Sequence, residues 1–191
     1  MHAGWLLVNS YYYPLKVLGP GVRIGVWTQG CTIRCKGCAS VHTWEFDAKK
    51  RVFIEDFVKK LSLFPTRAVT VSGGEPFEQR YFEEFLKELR KKGFDDILVY
   101  SGFGYEEIKK RFKKCLKYID VLVCEPFVEG LESEYSYKGS ANQKAVILNR
   151  KIFKKYQKFL SEKKVSLQVT DKMIIGILPQ KDAKILRSED G

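Results

Sequence analysis

Apolar positions along the chain switch between two periods. A β-like run at Val22–Trp27 comes first, and then Phe53, Ile54, Phe57, Val58 and Leu61 recur at helical spacing. A strand at Ala68–Val71 precedes a helical stripe of Tyr81, Phe82, Phe85, Leu86 and Leu89. The same alternation follows with Ile97–Tyr100 and then Tyr105, Ile108, Phe112 and Leu116. After a fourth strand at Ile119–Val123 the pattern becomes irregular as far as Asn142. A strand near Ala145–Leu148, a helix over 151–161 and strands near Val165–Val169 and Met173–Leu178 complete the expected order. Strands alternating with amphipathic helices predict an α/β fold, a parallel sheet with helices packed on it. About six strands are too few for a closed eight-stranded barrel and suit an open or partial one. In such folds ligands bind at the C-terminal ends of the strands. The cysteine-rich loop follows the first predicted strand, "SGGEP" the second, "SGFG" the third and "CEPF" the fourth. All four stretches are therefore expected on one edge.

Length and charge narrow the picture only a little. A chain of 191 residues is expected to form one domain, 1–191. No run approaches the roughly 20 apolar residues of a membrane span. The first residues lack the basic start and long apolar run of a signal peptide, so a cytoplasmic protein without membrane attachment is expected. Thirty-four basic against 23 acidic residues give a net charge of +11. The lysines fall mainly on the expected solvent faces of helices, as in "IKKRFKKCLK", with no interleaved aromatic-basic motif, so nucleic acid is not indicated.

The chemistry concentrates in "GCTIRCKGC", Gly30 to Cys38. Cys31, Cys35 and Cys38 are three thiols in eight residues, clustered in a way that suits a reducing compartment and a metal centre better than disulfides. An iron–sulfur cube normally takes four cysteines, and three leave one iron free to bind something else. Zinc remains an alternative if His42, Cys115 or Cys124 supplies the fourth ligand. The second stretch, "VTVSGGEP", ends a strand in two glycines, Gly73 and Gly74. It reads as a strand-to-helix turn, and its unshielded backbone also leaves room for a ligand to approach. Cys124 ends a strand and is either a buried small apolar residue or a neighbour of the site, while Cys115 reads as packing.

Taken together, Cys31-x3-Cys35-x2-Cys38 and "SGGEP" resemble the radical S-adenosylmethionine enzymes. The resemblance implies a partial (β/α)6 barrel and a [4Fe–4S] cluster on Cys31, Cys35 and Cys38, with S-adenosylmethionine chelated at the open iron. It places Lys36, Gly37, Cys38, Ser72, Gly73, Gly74, Glu75, Ser101 and Gly102 around the cofactor, with no catalytic side chain beyond cluster and cofactor. A narrower similarity covers Gly19–Phe46, "GPGVRIGVWTQGCTIRCKGCASVHTWEF", and Ile119–Gln143. Both resemble the glycyl-radical-enzyme activases, above all the activating proteins of anaerobic ribonucleotide reductase. That implies a large glycyl radical enzyme as partner, a reducing donor such as flavodoxin or ferredoxin, and Arg23, Asn142 and Gln143 on the partner side. Cys124-Glu125 stands where that family usually has Asp-Gly, Ser40 where asparagine is common, and Ala141 where it has serine. Another glycyl radical enzyme as partner, or a small-molecule reaction like that of 7-carboxy-7-deazaguanine synthase, is the alternative.

Overall fold

Apolar runs become strands and 3.6-residue stripes become helices. In chain order these are β1 (Trp5–Leu15), β2 (Arg23–Thr28), β3 (Arg51–Phe53), α1 (Ile54–Leu61), β4 (Ala68–Gly73), α2 (Phe82–Lys91) and β5 (Asp96–Tyr100). There follow α3 (Tyr105–Arg111), α4 (Lys113–Leu116), β6 (Val121–Cys124), β7 (Lys144–Ile147), α5 (Phe153–Ser161), β8 (Leu167–Val169) and β9 (Ile174–Gly176). The computed structural model describes residues 4–163, 166–170 and 174–177. Val165, Met173 and Leu178, which bounded the last two expected strands, lie outside the described residues. The helical stripe of Tyr105, Ile108, Phe112 and Leu116 is split into α3 and α4, because Phe112 leaves helical geometry at φ −126° and ψ 27°.

Seven strands form one sheet in the order β3-β1-β2-β4-β5-β6-β7, and β8 and β9 pair separately. Strands β2, β4, β5 and β6 run parallel. The flanking strands are antiparallel, with β1 against β2, β3 against β1 and β7 against β6. The parallel run thus holds four strands rather than six. No α-helix lies between β6 and β7, and β7 returns antiparallel, as a strand joined without a helical crossover can.

The period of two along each strand separates two faces. Ile24, Val26, Val69, Val71, Ile97, Val99 and Leu122 point to one side and pack against Phe57, Leu61, Phe85, Leu89 and Ile108 of the helices. Each such side chain fully buried contributes about 1.5–3 kcal/mol of transfer free energy. On the opposite face Leu98, Val121 and Val123 meet Tyr156 of α5, Ile152 and Tyr137.

That second face also holds a buried polar network. Arg23 is wholly buried, with Nη1 2.7 Å from Asp96, Nε donating to Thr70 at 2.8 Å and Nη2 donating to the Val69 carbonyl. Tyr156 donates to Asp96 at 2.6 Å, and Lys155 forms a further ion pair with it. Burial alone would push the Asp96 carboxyl up, but Arg23, Lys155 and Tyr156 together hold it below the usual carboxylate range. Asp96 opens β5 and is 1% exposed. One expectation is corrected here. Arg23, placed on the partner side by resemblance, has no surface for a partner to touch. Strand alternation explains this, since Ile24 and Val26 claim the helix face and send Arg23 inward, where a guanidinium is tolerated only with a full set of acceptors.

Candidate functional site

The four stretches expected on one edge do meet there, and backbone contacts bring them together. Gly74 N–H donates to the Thr28 carbonyl at 2.9 Å and Glu75 N–H to the Gly30 carbonyl at 2.8 Å. These two bonds fasten the end of β4 to the entry of the cysteine loop. The loop's return is fixed by Gly30 N–H on the Thr43 carbonyl at 2.7 Å and Cys31 N–H on the Trp44 carbonyl at 2.9 Å. The glycine pair is what permits this closeness. Gly73 has φ +101°, and a Cβ there would lie 2.6 Å from the Thr28 carbonyl oxygen. A Cβ on Gly74 would overlap the Gly30 carbonyl oxygen. Real structures essentially never hold such contacts, so the two glycines clamp the cysteine loop as well as leaving backbone open.

Glu75 ties the next strand in. Its carboxylate is buried and accepts from Phe77 N–H at 3.0 Å, the Ser101 hydroxyl at 2.9 Å and Gly102 N–H at 2.8 Å. Burial raises its pKa to about 7, against the pull of those three donors. Glu75, Ser101 and Gly102, expected around the cofactor, are therefore assembled as one unit beneath the cysteine loop. Ser72 accepts the Thr28 hydroxyl on its carbonyl at 3.1 Å.

Cys31, Cys35 and Cys38 are thiols outside any disulfide and half-buried. Burial pushes the Cys31 and Cys35 thiols up, while the backbone N–H groups of Arg34 and Ile33 counter it at Cys31 and that of Phe127 at Cys35. Ser40 N–H lies 3.3 Å from the Cys38 sulfur. Amides already aimed at sulfur, on a loop bent by Gly37 at φ +76°, suit thiolates that bind iron. Among the described residues no three His, Cys, Asp or Glu side chains gather on a single-ion site. Cys115 and Cys124 are buried in the helix-side core, with pKa values raised by burial to about 12 and about 11. His42 is exposed. None of the three completes a closed zinc site with the loop, whereas in a cube each sulfur takes its own iron corner. The donor set fits a three-cysteine cluster.

The fourth stretch runs from Glu125 to Gln143 and folds down on the cysteine loop. Glu129 pairs with Lys36 at 3.2 Å, and a Cβ on Gly37 would come 2.9 Å from the Glu129 carboxylate. Lys36 is 90% exposed and engaged with Glu129. The Asn142 amide donates to the Pro126 carbonyl at 2.8 Å. The Gln143 amide donates to the Glu125 carbonyl at 3.1 Å and accepts from Gly139 N–H at 2.8 Å. The structure thus commits the side chains of Asn142 and Gln143 to closing this loop on itself.

Several residues that matter carried no readable signal. Thr32 is bound to Glu78, and Gln29 links Asn9 to the Glu45 carbonyl. Glu125 has φ +85°. Here a signal did exist, because the resemblance places glycine at this position, the residue that adopts positive φ without strain.

A family model described as "4Fe-4S single cluster domain" matches residues 17–146. The chain is 32% identical over 145 residues to the anaerobic ribonucleoside-triphosphate reductase-activating protein of Haemophilus influenzae, covering 69% of this chain and 92% of that protein. Against the protein of the same name from Enterobacteria phage T4, identity is 30% over 141 residues, 69% of this chain and 88% of that one. The pyruvate formate-lyase-activating enzyme of Clostridium pasteurianum is 31% identical over 114 residues, 56% of this chain and 46% of that protein.

Proposed function

We propose a function for a chain that belongs to the 4Fe-4S single cluster domain family and to the family of anaerobic ribonucleoside-triphosphate reductase-activating proteins. It is a radical S-adenosylmethionine activase, working with a [4Fe–4S] cluster and S-adenosylmethionine, that acts on an anaerobic ribonucleotide reductase. Cys31, Cys35 and Cys38 hold the cluster. Gly73 and Gly74 serve twice, fastening the cysteine loop and presenting backbone to the amino end of the cofactor. Glu75, Ser101 and Gly102 form the wall behind them. When bound, the cluster and S-adenosylmethionine would supply radical chemistry, one-electron cleavage of the cofactor to methionine coupled to removal of an α-hydrogen from a glycine of the partner. The chain's own residues supply position and shelter, since no acid–base step is required of them. The open sheet, with four parallel strands, is read as the partial barrel of the superfamily. The partner is read as closing its open side.

One observation carries this reading. A loop of three cysteines and a glycine pair, distant in sequence, are joined by the hydrogen bonds Gly74 N–H to Thr28 and Glu75 N–H to Gly30. The test is anaerobic incubation of reconstituted protein with S-adenosylmethionine, dithionite and an anaerobic ribonucleotide reductase. A glycyl radical signal by electron paramagnetic resonance is expected, with 5′-deoxyadenosine released in proportion. Release of 5′-deoxyadenosine with no radical on the reductase would leave the cofactor chemistry standing and remove this partner.

A further inference from the structure

Glu78 closes the short 3-10 turn Pro76–Glu78, whose N-terminal cap is Glu75. Its carboxylate accepts twice from a single residue, from the Thr32 N–H at 2.8 Å and from the Thr32 hydroxyl. Thr32 directly follows Cys31. A carboxylate gripped by both donors of one residue is fixed in place and in orientation. A full negative charge is therefore held beside the first thiolate of the loop. Glu75 buries a second carboxylate in the same wall. The cations of the loop are engaged elsewhere, Arg34 with Glu45 at 2.7 Å and Lys36 with Glu129 at 3.2 Å.

We infer that Glu78 is a positioning residue that pins Cys31 through Thr32 and, by its charge, lowers the reduction potential of the cluster bound there. The inference rests on the cluster reading above. Reduction adds one electron, and a fixed neighbouring anion disfavours that addition. Cluster potentials respond to net charge and hydrogen bonding in this way. A low potential is what a donor of electrons to S-adenosylmethionine requires, so the carboxylate serves the proposed chemistry without touching cofactor or substrate.

The test compares full-length wild type, Glu78→Gln and Glu78→Ala after anaerobic reconstitution. Iron per chain is measured first. The midpoint potential is then read by redox titration, following the reduced cluster by electron paramagnetic resonance at low and high salt. Glu78→Gln retains an oxygen for the Thr32 N–H, so its iron content is expected to match wild type. Its midpoint is expected to shift upward, and the shift to shrink as salt screens the wild-type charge. Glu78→Ala, which loses the tether, is expected to lose part of its iron. A midpoint in Glu78→Gln equal to wild type, or an iron loss equal to that of Glu78→Ala, overturns the inference. A wild-type chain that takes up no cluster at all overturns the cluster reading itself, and the inference with it.

Discussion

Two loops share the C-terminal edge of the parallel strands, and they are held by different means. The cysteine loop is fastened backbone to backbone, through Gly74 to Thr28, Glu75 to Gly30, Gly30 to Thr43 and Cys31 to Trp44. Gly73 and Gly74 permit those contacts by lacking a side chain, and the Glu78 carboxylate on Thr32 adds one side-chain tether. The loop after β6 is fastened largely by side chains, through Asn142 on Pro126, Gln143 on Glu125 and Gly139, and the Ser140 hydroxyl on Val128 N–H. It begins at Glu125, whose φ of +85° is a strained conformation for a residue with a Cβ. It also buries two polar atoms, Ser136 Oγ and Asn142 Oδ1, without a hydrogen-bond partner. A loop secured mainly through the backbone is intolerant at its glycines and, apart from its cysteines and the Glu78 tether, insensitive to most side-chain identities. A loop secured through side chains should yield gradually, one contact at a time.

The sharpest break of this contrast is Gly74→Ala. One methyl group forced against the Gly30 carbonyl should cost about 1–3 kcal/mol of local strain or more. Because that strain falls on the anchor of the cysteine loop, iron retained after reconstitution should drop several-fold. Iron at the wild-type level, measured by colorimetric assay, would show that the clamp is not needed.

Next in size is the pH dependence owed to Glu75. Its pKa rises from 4.5 to about 7 on folding, so the native state holds the proton more tightly than the unfolded chain. Stability from this group is present below pH 4.5 and is lost as pH rises toward 7, by up to about 3 kcal/mol. Glu75→Gln should flatten that slope in chemical denaturation of the cluster-free protein. It should also lower the whole curve, because an amide cannot accept from Phe77, Ser101 and Gly102 together. An unchanged slope would place the titration elsewhere.

In the second loop the same operation should do less. Gln143→Ala removes the acceptor of Gly139 and Ser140 N–H, a local loss of about 1–3 kcal/mol. Amide exchange at residues 139 and 140 should speed up while iron content stays constant. Iron loss matching that of Gly74→Ala would erase the distinction between the loops. Smallest of all is Lys36→Ala, which breaks an exposed pair with Glu129 and should shift stability by less than about 1 kcal/mol in thermal unfolding.

How much of this was legible follows the same division. The parallel strands and the helices over them were readable because β-branched runs and 3.6-residue stripes alternate cleanly from Val22 to Val123. Strand β1 was not, because "NSYYYP" has no two-residue alternation and a register shift between Val8 and Ser10 interrupts its pairing. Strand β3, only three residues long, is fixed by pairing with β1 and could not be read before it. The cysteines and the glycine pair were legible because their spacing encodes backbone geometry and ligation. The burial of Arg23 and Asp96 was not legible, since polar residues give no sign of which buried partners they will find. Glu78 was invisible for that reason as well.

The account turns on a cluster held by the cysteine loop alone, with its open iron turned to S-adenosylmethionine. Single alanine variants of all five cysteines, reconstituted anaerobically and reduced with dithionite, test this directly when the electron paramagnetic resonance signal is recorded before and after adding S-adenosylmethionine. Wild type, Cys115→Ala and Cys124→Ala should show a reduced [4Fe–4S] signal that changes shape with the cofactor, and Cys31→Ala, Cys35→Ala and Cys38→Ala should lose it. A normal, cofactor-responsive signal in any of those last three, or equal loss in Cys124→Ala, would contradict the account.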